Sequence, residues 1–386
     1  MTRILLVPDL PIERWPSMDR YASRLVQHLS TEAPGLEIAV AGEIGSLTIE
    51  SAMMERRRDS GPGAQRFEPT AGVSEARRYL SRYLLYPRRV RAARANAIHV
   101  LDHSYAHLVL GERHRPSVIT VHDLFPVITV QRTPSGGRAR IRNWFLGRVL
   151  AGIRRADAWI VATQWLREQL GEWLGCDDRI FVIPYGIDDK FFDKPDQSRS
   201  ECRDRWGIPL EAFLILHVGS VDRRKNLPAV IAVLEVLRKE GLDAWFLQVG
   251  GTLAAEHREE LASSGVADYA TQLGPVSETE LRNAYHAADV LLFPSHYEGF
   301  GFPVLEAMAS GLPAVTSGAG GVGEVAGDAA VVVGDRETRR YVEAVRRIAD
   351  DQPWRSEMSS RGRVRASRFT WSKAARDTAR VYETLV

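Results

Sequence analysis

Short runs of consecutive apolar residues recur along this chain, separated by stretches whose apolar positions repeat at helical spacing. In the first half the runs fall at 3–8, 36–41, 97–101, 117–121, 158–162 and 180–183, with helical periods at 19–29, 140–154 and 164–174. Unbroken apolar runs of this length read as strands buried on both faces. Their alternation with helices predicts a parallel sheet covered on both sides. After a polar stretch at 189–200 the rhythm restarts, with strands expected at 213–218, 245–249, 270–273, 290–293, 314–316 and 329–333. The pattern therefore predicts an α/β chain of two Rossmann-like domains, 1–190 and 191–370, with a linker around 184–211. Ligands of open α/β sheets bind beyond the carboxyl ends of strands, so a cleft with both domains facing it is expected.

Two segments depart from the rhythm. Residues 42–75 are polar and poorly periodic, and read as a long loop. Residues 77–94 carry Arg77, Arg78, Arg82, Arg88, Arg89, Arg91 and Arg94 among tyrosines and leucines, with Pro87 expected to split them into two helical pieces. They read either as a solvated helix face or as a basic aromatic surface that meets an anionic acceptor or a membrane face.

Composition narrows the class. A net charge of +2 over 386 residues does not advertise a nucleic-acid partner, and none is expected. The two cysteines, Cys176 and Cys202, suggest no disulfide framework. No apolar run approaches the roughly 20 residues that span a bilayer, and the first, at 4–7, is too short for a signal sequence. A cytoplasmic protein is expected, with the inner membrane face as an alternative location.

The chemistry concentrates in Ser295-His296-Tyr297-Glu298-Gly299-Phe300-Gly301-Phe302-Pro303-Val304-Leu305-Glu306, continuing Ala-Met-Ala-Ser-Gly-Leu-Pro to Pro313. A strand should enter it and a helix should leave it, with Pro303 in the first turn. Gly299 and Gly301 let a ligand approach the backbone. The helix N-terminus suits a phosphate, and Glu298 and Glu306 could grip hydroxyls on either side of one. Upstream, Gly219-Ser-Val-Asp-Arg-Arg-Lys-Asn226 follows the strand at 213–218, with Asn226 a candidate N-cap. Arg224 and Lys225 then stand where they can stabilise negative charge. In the first half, His122-Asp123 and Asp102-His103 each end a strand. Asp123 could orient the His122 ring or cap the next turn.

The 295–313 stretch resembles the E-x7-E signature of retaining glycosyltransferases with the two-domain GT-B fold, family four. Gly219 to Asn226 resembles that family's G-x5-K-N pattern, and His122 lies in its H-D-x-x-P context. The resemblance implies transfer of a hexose from a nucleotide diphosphate sugar, GDP-mannose or a UDP-sugar, to a hydroxyl acceptor. A glycan or lipid-linked glycan of cell-surface polysaccharide synthesis is the expected acceptor. It implies catalytic roles for His122, Glu298, Arg224 and Lys225. A donor site follows from Gly219, Arg224, Lys225, Val276, Glu298, Gly299, Phe300, Gly301, Phe302 and Glu306, with Glu306 on the ribose. Asp102, His103 and Asp123 are candidates for the acceptor side, and the segment at 371–386 is expected to cross back onto the first domain. With no Asp-x-Asp motif, neither a metal nor a cofactor beyond the sugar nucleotide is expected. The loop after the first strand, 8–15, has no glycine where many members carry a pair. Two other readings stay open: a nucleotide-sugar hydrolase or epimerase of the same fold, and a non-catalytic sugar-nucleotide binder. Gly318-Ala-Gly-Gly-Val-Gly323 satisfies G-x-G-x-x-G, yet another strand follows almost at once, so it fails the context of a dinucleotide fingerprint.

Overall fold

The computed structural model describes residues 1–10, 16–41, 75–112, 114–125, 137–334 and 337–386. The loop expected at 42–75 lies outside them up to residue 74, as does part of the loop after the first strand. Two units are present: Met1–Gly186 with Thr370–Val386, and Ile187–Phe369.

In the first unit, strands β1 (Thr2–Val7), β2 (Leu36–Val40), β3 (Ala97–Val100), β4 (Ser117–Val121), β5 (Ala158–Val161) and β6 (Ile180–Val182) form a parallel sheet ordered β2-β1-β3-β4-β5-β6. Every residue of β3, β4 and β5 is buried, which is why those strands read as unbroken apolar runs. The helix Trp371–Glu383 belongs to this unit and packs on the helix Pro16–Glu32. Its Tyr382 hydroxyl lies 2.6 Å from His99 Nδ1 in the middle of β3. Gly186 makes the approach of this helix to the sheet feasible: a Cβ there would meet the Trp371 nitrogen at 2.2 Å.

The basic segment departs from the expected break at Pro87. Helix Glu75–Leu80 runs through a π-helical turn, Ser81–Leu85, into helix Tyr86–Ala92. Pro87 follows the π turn in an unbroken right-handed backbone, and the widened turn before it accommodates its ring and its missing N–H. The irregularity therefore comes before the proline and widens the helix without ending it.

In the second unit, β7 (Phe213–Gly219), β8 (Ala244–Gly250), β9 (Ala270–Gly274), β10 (Val290–Phe293), β11 (Ala314–Thr316) and β12 (Val331–Val332) form a parallel sheet ordered β12-β11-β10-β7-β8-β9. Helices Leu227–Lys239 and Thr338–Asp350 bury apolar faces in its core. The linker expected around 184–211 is instead largely part of this unit. It contains the helix Arg199–Arg205, and fully buried Arg203 lies 2.7 Å from Asp289 at the entrance to β10. Arg203 also donates to the carbonyls of Ala287, Pro209, Leu210 and Ala212. A buried guanidinium with this many acceptors holds the segment onto the sheet.

Candidate active site

Sheet order decides which loops meet. In the second unit the chain leaves β7 toward β8 on one side, then returns to lay β10 on the other. The loops after β7 and β10 therefore flank the topological switch point, the usual ligand position in a doubly wound sheet. They carry Gly219–Asn226 and Ser295–Gly301, the two motifs singled out in the sequence.

Gly219 ends β7 at φ +148°, and a Cβ on it would stand 3.2 Å from Lys225 Cε. Beneath it Gln248 donates to the Gly219 carbonyl at 3.0 Å and accepts at Oε1 from His217 Nδ1 at 2.7 Å. Burial holds His217 down at about 4, so its ring is neutral. Asp222 caps the turn Arg223–Lys225 by accepting from the Arg224 N–H at 2.9 Å, and it also takes the Arg224 side chain at 3.2 Å. Asn226 stands at the N-cap of the helix Leu227–Lys239, as expected, but its side chain makes no capping hydrogen bond. It sits in the left-handed region at φ 54°, and its side chain donates to the Pro294 carbonyl at 3.1 Å, tying the β7 loop to the β10 loop. The His296 N–H donates to the Arg224 carbonyl at 2.6 Å, a second tie.

These ties bring Lys225 Nζ to 2.6 Å from Glu298 Oε1, with both side chains almost enclosed. Glu298 is followed by Gly299, Phe300 and Gly301, then by the helix Phe302–Ala309 with Pro303 in its first turn. Of the two loop glycines only Gly301 takes a left-handed backbone, at φ +96°, and a Cβ there would meet Val322 Cγ2 at 2.5 Å. Phe300 is buried, its ring 5.2 Å from Phe302 and 6.0 Å from Phe369, so its side chain serves packing. Glu306, one turn into the helix, is 1% exposed, and the Tyr285 hydroxyl donates to its Oε2 at 2.7 Å. Val276, after β9, is half-buried beside the cap of helix Glu278–Ala287.

The G-x-G-x-x-G loop has a structural use here. Gly320 pairs with Glu298, the Gly321 N–H donates to the Glu298 carbonyl at 2.8 Å, and a Cβ on Gly320 would meet that carbonyl at 2.3 Å. These glycines let one loop lie against the backbone of the other and so fix where Glu298 stands.

In the first unit the switch point lies between β1 and β3. Asp102 follows β3 and caps the 3-10 segment His103–Gly111 by accepting from the Ser104 N–H at 2.6 Å. His103 lies between two carboxylates, Nδ1 3.4 Å from Asp102 and Nε2 3.8 Å from Asp123. Asp123 caps the next turn by accepting from the Phe125 N–H at 3.0 Å, the second of its two expected roles. The His122 ring is oriented by other partners. Its Nε2 donates to the Leu101 carbonyl at 2.7 Å and its Nδ1 accepts from the Tyr185 hydroxyl at 2.6 Å. Burial lowers the His122 pKa, with Asp102 acting the other way. Asp9, beyond β1, is hydrogen-bonded to Asp102; burial, then the Asp102 charge, push it up to about 9. Burial also acts to raise Asp102, but His103, His122 and the Ser104 N–H outweigh it and hold Asp102 below its ordinary value. The pair thus carries one proton at neutral pH, on Asp9.

The structure therefore gathers Gly219, Arg224, Lys225, Glu298, Gly301 and Glu306 in the second unit, and Asp102, His103, His122 and Asp123 in the first. Sequence reasoning missed Tyr285, Tyr185, Asp9 and the His217–Gln248 brace. Tyr185 lies in Pro-Tyr-Gly-Ile-Asp, read only as the start of a linker, and Asp9 in the loop noted only for lacking glycine. Tyr285 meets Glu306 through the fold, with no local pattern to announce it. Among the described residues no group of three or more His, Cys, Asp or Glu is arranged to hold a metal ion. Among them, too, no helix is long and apolar enough to cross a membrane.

Residues 198–365 match the family model described as Glycosyl transferases group 1, and residues 19–191 match the one described as Glycosyltransferase Family 4. Among curated relatives, a D-inositol 3-phosphate glycosyltransferase of Kineococcus radiotolerans is 32% identical over 264 residues, covering 62% of this chain and 60% of the relative. An O-antigen chain mannosyltransferase B of Escherichia coli is 30% identical over 173 residues, covering 44% of this chain and 45% of the relative. These matches span well under two thirds of the relatives' length. Among solved structures, sucrose-phosphate synthase from Thermosynechococcus elongatus superposes with a TM-score of 0.74 at 21% identity, covering 100% of this chain and 99% of that one. Anabaena HepE, solved with UDP and glucose, also reaches 0.74, at 16% identity over the whole of both chains. At these identities the structures establish the fold, two Rossmann-like domains of GT-B type.

Proposed function

We propose, for a chain that belongs to the group 1 glycosyltransferases of family 4 type, transfer of a hexose from a nucleotide diphosphate sugar to a hydroxyl acceptor with retention at the anomeric carbon. The observation that carries this reading is the grouping at the β7–β10 switch point. There Lys225 and Glu298 stand 2.6 Å apart, ahead of the helix that holds Glu306. A donor pyrophosphate seated at that helix N-terminus takes Lys225 and Arg224 as cationic partners, and these stabilise the charge that grows as the glycosidic bond breaks. Glu306, held by Tyr285, binds ribose hydroxyls. Glu298 binds the hexose and steadies positive charge at its anomeric carbon. The departing phosphate assists front-face attack, and no metal is assigned a step.

The first unit takes the acceptor. The Asp102 and Asp123 carboxylates that flank His103 accept hydrogen bonds from hydroxyls and repel phosphate, which favours the hydroxyl end of a glycan or lipid-linked glycan over a phosphate-bearing acceptor such as the inositol phosphate in a relative's name. His122 is assigned to the transferred sugar. Both its ring nitrogens are engaged, so that contact requires the Tyr185 hydroxyl to yield. The reaction is placed in the cytoplasm, within cell-surface polysaccharide synthesis.

Thermal shift against a panel of nucleotides, NAD and nucleotide sugars tests the reading, because a ligand that binds only the native state raises apparent stability. One base and one sugar should stand out in the native chain, and the shift should disappear in Glu306→Ala. A shift with NAD alone defeats the proposal. Turnover of the donor without any added acceptor would move the assignment to a hydrolase.

A further inference from the structure

The charge of this chain is unevenly placed. Residues 76–101 and 124–156 contain fourteen arginines and no lysine, aspartate or glutamate. The rest of the chain holds 37 Lys and Arg against 49 Asp and Glu, so the near-neutral total hides a strongly basic region. The fold joins the two stretches. The Phe145 ring, on helix Gly137–Arg155, lies 5.1 Å from Tyr79 and 4.0 Å from Tyr83 on the helix that crosses the π turn. Trp144 stands 4.9 Å from Phe145, with the Arg148 guanidinium 5.7 Å above its ring.

Around this aromatic seam the apolar side chains point to solvent. Leu80 is 49% exposed, Leu84 48%, Leu85 41% and Trp144 60%, and no residue of the π turn is buried. Arginines 88, 89, 91, 140, 142 and 148 are exposed about them. A face built for water alone pairs its charges at helical spacing. Here neither stretch contains a carboxylate that could pair at helical spacing, so the face presents a concentration of positive charge to solvent.

We propose that this face of the first unit docks on the surface of an anionic lipid bilayer. The leucines and Trp144 enter the boundary between headgroups and acyl chains, and the arginines take the phosphates. Arginine suits that role because its guanidinium binds phosphate bidentately. The exposed leucines decide between a bilayer and a nucleic acid: aliphatic side chains gain from hydrocarbon, whereas a phosphate backbone offers them nothing. This inference does not depend on the transferase reading.

The test is co-sedimentation of the full chain with phosphatidylcholine vesicles, with and without about one third phosphatidylglycerol. Binding is expected to the mixed vesicles only, and to weaken at high salt as screening shortens. Replacing Arg88 and Arg91 by Ser should cut binding roughly fivefold per arginine. Leu84→Ser with Trp144→Ser should cut it about tenfold or more at low salt, where charge is intact. Both variants should keep the parent melting curve and the parent's response to nucleotides. Absence of binding to mixed vesicles at low salt overturns the proposal. So does full binding by the Leu84 and Trp144 variant, or stronger binding to duplex DNA than to mixed vesicles at equal phosphate.

Discussion

At the scale of single residues, the site is governed by which groups hold the carboxylates. The Tyr285 hydroxyl donates to buried Glu306, so Tyr285→Phe removes one hydrogen bond to a charged group and leaves the ring in place. We expect donor KM to rise about tenfold with kcat little changed. A donor analogue lacking a ribose hydroxyl should feel the substitution less; equal loss for both donors would make Tyr285 a packing residue. Lys225→Met has the opposite signature. It removes the partner of enclosed Glu298 and the charge offered to the leaving group, so kcat should fall 100-fold or more. Asp9 adds a pH signature. Its folded pKa of about 9 lies above the ordinary 3.8, so the folded chain holds a proton that the unfolded chain has lost. Stability from this group is full below about pH 4 and declines as pH rises toward 9. Asp9→Asn should therefore gain Tm over the parent progressively between those limits, and a flat difference would remove the shared proton. The two glutamates and the basic pair were legible as residues. Their partners Tyr285 and Tyr185 were not, because a tyrosine's hydroxyl contact is set by the fold and not by its neighbours in sequence.

At the scale of elements, parallel strands were read to within about two residues, because burial on both faces leaves an apolar run with sharp edges. Strand order was not legible, and it decides that the loops after β7 and β10 meet. The π turn was also hidden, since Pro87 is the only breaker that the basic segment displays. The glycine loop was legible only as a motif; its geometry shows a support for Glu298. Gly320→Ala would press a Cβ against the Glu298 carbonyl, displace that loop and lower activity more than stability. Gly301→Ala combines a left-handed backbone with a clash on Val322. We expect it to cost roughly 2 kcal/mol or more, seen as a lower urea midpoint at constant slope.

At the scale of the whole molecule, each unit buries a neutral histidine beneath its switch point. Burial lowers His99 to about 3 and His217 to about 4, from 6.5. In acid the unfolded chain binds protons that these rings refuse, so stability is full above pH 6.5 and falls as pH drops toward the folded values. Each ring contributes up to about 1.4 kcal/mol per pH unit in that window. Thermal melts from pH 7 to pH 4.5 should show Tm falling, and His217→Gln should flatten the slope; an unchanged slope would move the acid sensitivity elsewhere. His99 draws its Nδ1 partner, Tyr382, from the last helix. That helix completes a unit which begins at residue 1, while the intervening unit is one continuous stretch. A ribosome therefore releases the second unit's last residue before the first unit has all its parts. The half made first is the half finished last, and until residues 371–383 have been made the surface under Trp371 and Tyr382 stays uncovered.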